Sequence, residues 1–226
     1  MNNKGDILKS WVEQFTEAFL EGNILNAKEL LDVYLNDNET TTMDVHQLLT
    51  AVMTYIGDLW EQNIITVAQE HIATNVCKYV LHYYHLEVSM PGSLIDSPNK
   101  KGMFYCIEDE QHDIGIDMIS NIFKEAGWTT KLLGANMPID AACQLALDWK
   151  PDIIGISISI PYHLPKLIKH IQVLNELPHQ PLVIVGGRLV YIYDLSLYCP
   201  ASTIIVKDLS ELDKLTGIEF IGEVHI

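Results

Sequence analysis

From residue 102 onward, short apolar runs near 102–107, 129–133, 152–158, 181–185 and 203–206 alternate with amphipathic stretches that start near 113, 138, 163, 189 and 208. The runs Ile153-Ile154-Gly155-Ile156 and Leu182-Val183-Ile184-Val185 carry no polar alternation, as in strands covered on both faces. Regular strand and helix alternation predicts a five-stranded parallel sheet with helices on both sides. In such sheets ligands gather in the loops at the carboxyl ends of the strands.

The first half has a different period. Ile7, Trp11, Phe15, Phe19 and Leu20 recur at helical spacing, as do Ile24, Ala27, Leu30, Leu31 and Tyr34 after the turn Glu21-Gly22-Asn23. A polar loop, Asn36 to Thr42, precedes a third helix from about Asp44 to Trp60, with Leu48, Val52, Tyr55, Ile56 and Leu59 inward. Thr66-Val67-Ala68-Gln69 has capping-box spacing and opens a fourth helix that runs to about His85. Four helices sharing one core make a bundle. The Pro-, Gly- and Ser-containing stretch that follows reads as a linker. The expected organisation is a four-helix bundle over residues 1–90, a linker over 91–101 and the parallel-sheet domain over 102–226.

The loop Glu110-Gln111-His112-Asp113-Ile114-Gly115 lies between the first apolar run and a helix expected from about Ile116 to Ala126. A carboxylate two residues before a histidine can bond one ring nitrogen and leave the other as a more basic metal ligand. Gly115 removes a side chain where a large flat ligand would press on the backbone. Ser157 and Ser159 close the third strand and Gly186-Gly187 the fourth, all on the same sheet edge. In the bundle, Trp60 ends the third helix, and Val67, Glu70 and His71 share one face at the start of the fourth. An aromatic plane, a branched side chain, a carboxylate and an imidazole suit a ligand that is part apolar and part hydrogen-bonding.

Charge narrows the classes. With 30 Asp+Glu against 14 Lys+Arg the formal net charge is −16, which repels phosphate backbones and anionic membrane surfaces. Neither direct nucleic-acid binding nor a membrane role is expected, and no apolar run is long enough to span a bilayer. The four cysteines, Cys77, Cys106, Cys143 and Cys199, form no Cys-x-x-Cys pair and read as reduced residues of a cytoplasmic protein.

Glu-x-His-x-x-Gly, then Ser-x-Ser, then Gly-Gly resembles the signature of cobalamin-binding domains that hold the cofactor base-off with a histidine on cobalt. Trp60, nine intervening residues and Glu70-His71 resemble the Trp-x9-Glu-His motif of the CarH and LitR light-sensing proteins, where a helical bundle precedes a cobalamin domain. The resemblance covers about residues 5–206 and implies a Rossmann-like (flavodoxin-like) sheet domain. It implies His112 as lower cobalt ligand and Glu110 as its partner. Gly115, Ser157, Ser159, Gly186 and Gly187 would line the slot for the nucleotide tail. Trp60, Val67, Glu70 and His71 would cap the upper group of adenosylcobalamin. The function so implied is a light sensor and not an enzyme, a homo-oligomer signalling to a regulatory protein partner. The family's regulators carry an amino-terminal DNA-binding domain, whereas the bundle here begins almost at Met1, so a sensor without its own DNA-binding domain is expected. Two further departures stand out. Glu110 replaces the Asp of the signature, and Glu61 follows Trp60 where several photoreceptors have histidine. The alternative is a corrinoid carrier of a methyltransferase system, using methylcobalamin.

Other residues invite blander readings. His82 and His85, one turn apart near a helix end, fit the negative pole of the helix dipole better than a metal site. His163, His170 and His179 are expected to be solvated. Asn136-Met137-Pro138 falls at the ligand edge.

Overall fold

The computed structural model describes residues 3–37, 40–88 and 99–216. Its packing divides the chain near residue 90 into two compact units. Most of the expected linker lies outside the described residues.

The amino-terminal unit contains α1 (Asn3–Leu20), α2 (Ile24–Asp37), α3 (Thr42–Glu61) and α4 (Val67–Tyr83), with a π-helical turn at Tyr84–Val88. Of the apolar stripes that predicted these helices, Phe15, Phe19, Leu31, Leu48, Val52 and Ile56 are fully buried, joined by Leu49 and Leu81, whereas Ile7, Ile24 and Tyr55, the last expected to face inward, are exposed. Each fully buried side chain contributes about 1.5–3 kcal/mol against the entropy of ordering the chain. Helix α4 starts at the Thr66 cap, where Gln69 reaches back to the Thr66 amide at 2.9 Å. Helix α3 starts two residues before the sequence expectation. Thr41 caps it, and Asp44 returns a 2.8 Å bond to the Thr41 amide, so a carboxylate one methylene shorter completes the same box.

The second unit is a five-stranded parallel sheet in the order β2-β1-β3-β4-β5. Its strands are β1 (Lys101–Ile107), β2 (Thr129–Met137), β3 (Ile153–Ser157), β4 (Leu182–Gly186) and β5 (Ile204–Ile205). Between them run α5 (Ile114–Glu125), α6 (Ile139–Trp149), α7 (Leu164–Asn175) and the single turn α8 (Leu189–Ile192); a last turn, α9 (Asp213–Thr216), follows β5. The fold is Rossmann-like, of the flavodoxin type. Side chains alternate across the central strands. Met103, Tyr105, Ile154, Ile156, Val183 and Val185 share a core with Ala142 of α6 and with Leu167 and Ile171 of α7. Phe104 faces α5, its ring 5.1 Å from that of Phe123. A Cβ at Gly155 would come within 2.5 Å of the Phe104 ring, so the glycine inside this apolar strand is there to admit a neighbour's aromatic side chain.

Near 189 the expected helix is the single turn α8, and near 208 a 3-10 turn, Leu209–Leu212, leads into α9, which reaches the last described residue. β2 runs four residues past its apolar run, with register shifts against β1 beside Tyr105 and left-handed backbone at Gly134 and Asn136. No described helix is long and apolar enough to cross a membrane.

Candidate functional site

Strand order reverses between β1 and β3, because the chain leaves β1 toward β2 and returns to β3 on the opposite side. Crevices at such switch points are where open α/β sheets bind ligands. The β1 loop carries Glu110 and His112, and the β3 loop carries Ser159, Ile160 and His163.

Glu110 is fully buried, and the contacts to its two carboxylate oxygens come from these two loops. Its Oε1 meets His112 Nδ1 and accepts the His112 amide at 3.2 Å. Its Oε2 accepts the Ser159 amide at 2.8 Å and the Ile160 amide at 3.2 Å, with His163 Nδ1 at 3.4 Å. Burial alone would raise the carboxyl pKa, but the His112 ring and the Ser159 and His112 amides outweigh it and hold Glu110 at about 2. Glu110 is therefore an anion near neutral pH. Two successive amides around one carboxylate oxygen form a small anion nest. An ionised carboxylate at Nδ1 selects the Nδ1–H tautomer of His112 and leaves the lone pair on Nε2, the form a metal requires. The His112 side chain is 60% exposed while its partner is wholly buried, so the ring is anchored from below and accessible from above.

The loop itself is pinned from β2. Asn136 donates its amide to the Glu110 carbonyl at 2.9 Å, and its side-chain oxygen accepts the Asp109 amide at 2.8 Å. Its left-handed φ of 56° suits asparagine. The Cys106 thiol donates to the His112 carbonyl at 3.4 Å.

The remaining expected sheet residues play distinct parts. A Cβ on Gly115 would meet no protein atom within 4 Å, so protein packing does not explain this glycine. Gly187 is the reverse case: its φ is +103°, and a Cβ would lie 2.5 Å from the Ile158 carbonyl oxygen and 2.9 Å from Ser157 Oγ. Gly186 has ordinary room. Ser157 is buried beside Gly187, while Ser159 is half-buried and enters the site through its backbone N–H. Exposed apolar side chains stand on the same loops, with Ile160 and Tyr162 after β3 and Tyr191 after β4. A buried anion clamping one imidazole, an unfilled glycine and apolar side chains in solvent fit a large flat metal macrocycle such as a corrin. Among the described residues there is no cluster of three or more His, Cys, Asp or Glu side chains that could hold a metal ion.

In the helical unit, α3 and α4 are joined by a short turn whose Ile64 and Ile65 amides both donate to the Leu59 carbonyl. Trp60 and Val67 therefore lie at one end of the bundle, 46% and 55% exposed, beside exposed Ile64. Glu70 accepts the Thr74 hydroxyl at 3.0 Å, and His71 Nε2 is 3.6 Å from the other Glu70 oxygen.

Residues 100–201 match the family described as the B12 binding domain, and residues 11–84 match a second B12 binding domain family. The chain is a cobalamin-binding protein. It is similar to the HTH-type transcriptional repressor CarH of Myxococcus xanthus, 25% identical over 111 residues, or 49% of this chain and 35% of that one. The cobalamin-binding chain thus spans about a third of the repressor's length. It is also similar to a corrinoid protein of Desulfitobacterium hafniense (strain Y51), 21% identical over 183 residues, covering 80% of this chain and 85% of that protein. Among solved structures, the Methanosarcina barkeri monomethylamine corrinoid protein matches 92% of the chain and 97% of its own, with a TM-score of 0.76 at 16% identity. That likeness is one of fold.

Three histidines depart from expectation. His163 and His170 are buried, and His170 Nδ1 lies 3.1 Å from the Tyr105 hydroxyl. Burial holds His170 at about 4, so it stays neutral near pH 7. His85 turns inward to a 3.0 Å Nε2 to Nε2 bond with fully buried His46, while His82 stays exposed. Periodicity gave no sign of these pairings, because each joins residues on different elements.

Proposed function

We propose that this chain is a cobalamin-dependent light sensor. It binds adenosylcobalamin base-off, with His112 Nε2 as the lower cobalt ligand, and signals to a protein partner. One observation carries the ligation: the buried, ionised Glu110 carboxylate on His112 Nδ1. Bound adenosylcobalamin supplies a cobalt–carbon bond that visible light breaks.

The chain's residues bind and orient. Glu110 keeps the His112 tautomer and direction, and the Ser159 and Ile160 amides keep Glu110. Gly115 gives the corrin access to backbone, and Ser157, Gly186 and Gly187 shape the β3 and β4 loops toward the nucleotide tail. Trp60 and Val67 contribute apolar contact to the adenosyl group, and Glu70 and His71 contribute hydrogen bonds. Exposed Trp60, Ile64 and Val67 make this bundle end the apolar surface that a partner would meet when no upper group covers it. A net charge of −16 favours a protein over a nucleic acid as receiver, and a homo-oligomer is part of the reading.

A second reading, a corrinoid carrier using methylcobalamin, draws support from the similarity to the D. hafniense corrinoid protein along most of both chains. It uses the same lower ligand.

Absorption spectra of the protein loaded with each cobalamin, before and after illumination, test both. A light-driven spectral change accompanied by altered assembly is expected. Methyl transfer to a thiol acceptor in the dark, with no effect of light on assembly, would instead establish the carrier. His112→Ala should remove the histidine-ligated spectrum; an unaltered spectrum sinks the ligation.

A further inference from the structure

Strand β2 forms one edge of the sheet and, among the described residues, pairs with β1 alone. The Thr129 amide donates to the Lys100 carbonyl at 2.9 Å, so Thr129 turns its main-chain groups toward β1. That direction alternates along a strand, and Thr130 and Leu132 therefore turn theirs away from the sheet. Register with β1 is unbroken from Thr129 to Leu132; beyond it the ladder shifts, and Gly134 and Asn136 have left-handed backbone. The regular stretch thus presents an outward row of N–H and C=O groups, a template for one more strand. Charge decides what fits there. Lys131 Nζ stands 4.7 Å from the Trp149 ring centroid and Lys101 Nζ 5.8 Å from the same ring, while Lys100 Nζ is 5.0 Å from that of Trp128. None of these three lysines forms an ion pair with a carboxylate among the described residues. In a chain of net charge −16 carboxylates abound, yet these ammonium groups rest on indoles.

We propose that the Thr129–Leu132 edge of β2 docks an extended acidic segment of a partner protein as an added strand. Main-chain bonds to Thr130 and Leu132 hold the segment. Side chains select it. Lys131 shares its face of β2 with Leu133, which packs on the core, and Leu132, 40% exposed, lies on the other face. A fitting segment alternates carboxylates toward Lys131 and Lys101 with apolar side chains beside Leu132. A second copy offering its own β2 would bring two lysine-bearing edges together, which like charge opposes, whereas an acidic strand meets opposite charge. Lys101 opens β1 and pairs in register with Thr129, while His112 follows the far end of the same strand. The docking edge therefore stands apart from the cofactor loop, and the proposal does not depend on cobalt ligation.

The test uses the full chain and a synthetic peptide of alternating valine and glutamate, blocked at both ends, with a counterpart carrying lysine for glutamate. On adding the acidic peptide, the amides of Thr130 and Leu132 should shift in NMR spectra and gain protection from hydrogen exchange. The lysine peptide should bind at least about tenfold more weakly, and Lys131→Glu should weaken the acidic peptide by about as much. Added salt should weaken binding to the wild type. Thr130→Pro removes an outward N–H without touching the β1 ladder and should abolish the protection at Leu132. Lys131→Glu carries the test if the proline variant does not fold. Failure of the acidic peptide to bind, equal binding of the two peptides, or binding that leaves Thr130 and Leu132 unshifted overturns the proposal. Protection of those amides that grows with protein concentration in the absence of peptide also overturns it, because the occupant is then a second copy. An oligodeoxythymidine that shifts them where the acidic peptide does not overturns it as well.

Discussion

The Ser159 amide donates to Glu110 Oε2 at 2.8 Å and so ties the loop after β1 to the loop after β3, 49 residues apart. The bond spans the point where strand order reverses, and it anchors the carboxylate that orients His112. Ligand geometry here is therefore a property of the sheet and not of one loop.

Glu110→Gln should weaken hydroxocobalamin binding about 10–100-fold, because an amide presents donors where Ser159 and Ile160 also donate. It should also change the acid limb of stability. Glu110 titrates near 4.5 when unfolded and at about 2 when folded, so the unfolded chain takes up its proton first. The contribution is complete above about 4.5 and is lost as pH falls toward about 2. Urea titrations between those values should slope in the wild type and less so in the variant.

Gly187→Ala and Gly115→Ala should behave oppositely. At Gly187 the φ of +103° and the 2.5 Å approach to the Ile158 carbonyl predict a loss of about 1–3 kcal/mol or more. Gly115 lies in the first turn of α5 with open space at its Cβ, and alanine there should be neutral or add up to about 1 kcal/mol. The added methyl should nonetheless reduce cobalamin affinity. Thermal melts and cofactor titrations of the two variants separate these effects.

The His46 and His85 pair should make the helical unit sensitive to mild acid. Burial, helped by His85, lowers His46 from 6.5 to about 3, so it is neutral when folded and readily protonated when unfolded. Its contribution is full above about 6.5, falls by up to about 1.4 kcal/mol per pH unit below that, and is exhausted near 3. Urea midpoints followed by helical circular dichroism at pH 7, 6 and 5 should show the decline, and His46→Phe should reduce its slope.

Trp60→Ala should cost the fold less than about 1 kcal/mol, since the indole is 46% exposed. If Trp60 recognises the upper group, adenosylcobalamin affinity should drop more than hydroxocobalamin affinity. Equal losses for the two cobalamins would remove that role.

What could be read without coordinates was local. The Thr66 cap shows because its partner Gln69 is three residues away, and the Glu110 contact to His112 shows because two residues separate them. The same box at Thr41 carries no such signature, because aspartate stands in place of the longer acid. Strand and helix periods gave the sheet and bundle, but not the brevity of α8 and β5, since apolar runs do not encode how far a ladder continues.

The sequence by itself determined the elements and the carboxylate beside the candidate ligand, because spacing along one strand, helix or turn dictates which side chains share a face. Only the tertiary structure decided that α7 lies against β1, which buries His163 and His170 and surrounds Glu110 with donors from a second loop. Those contacts join residues 49 to 65 apart, and strand order sets them through burial of the whole sheet rather than through any local propensity.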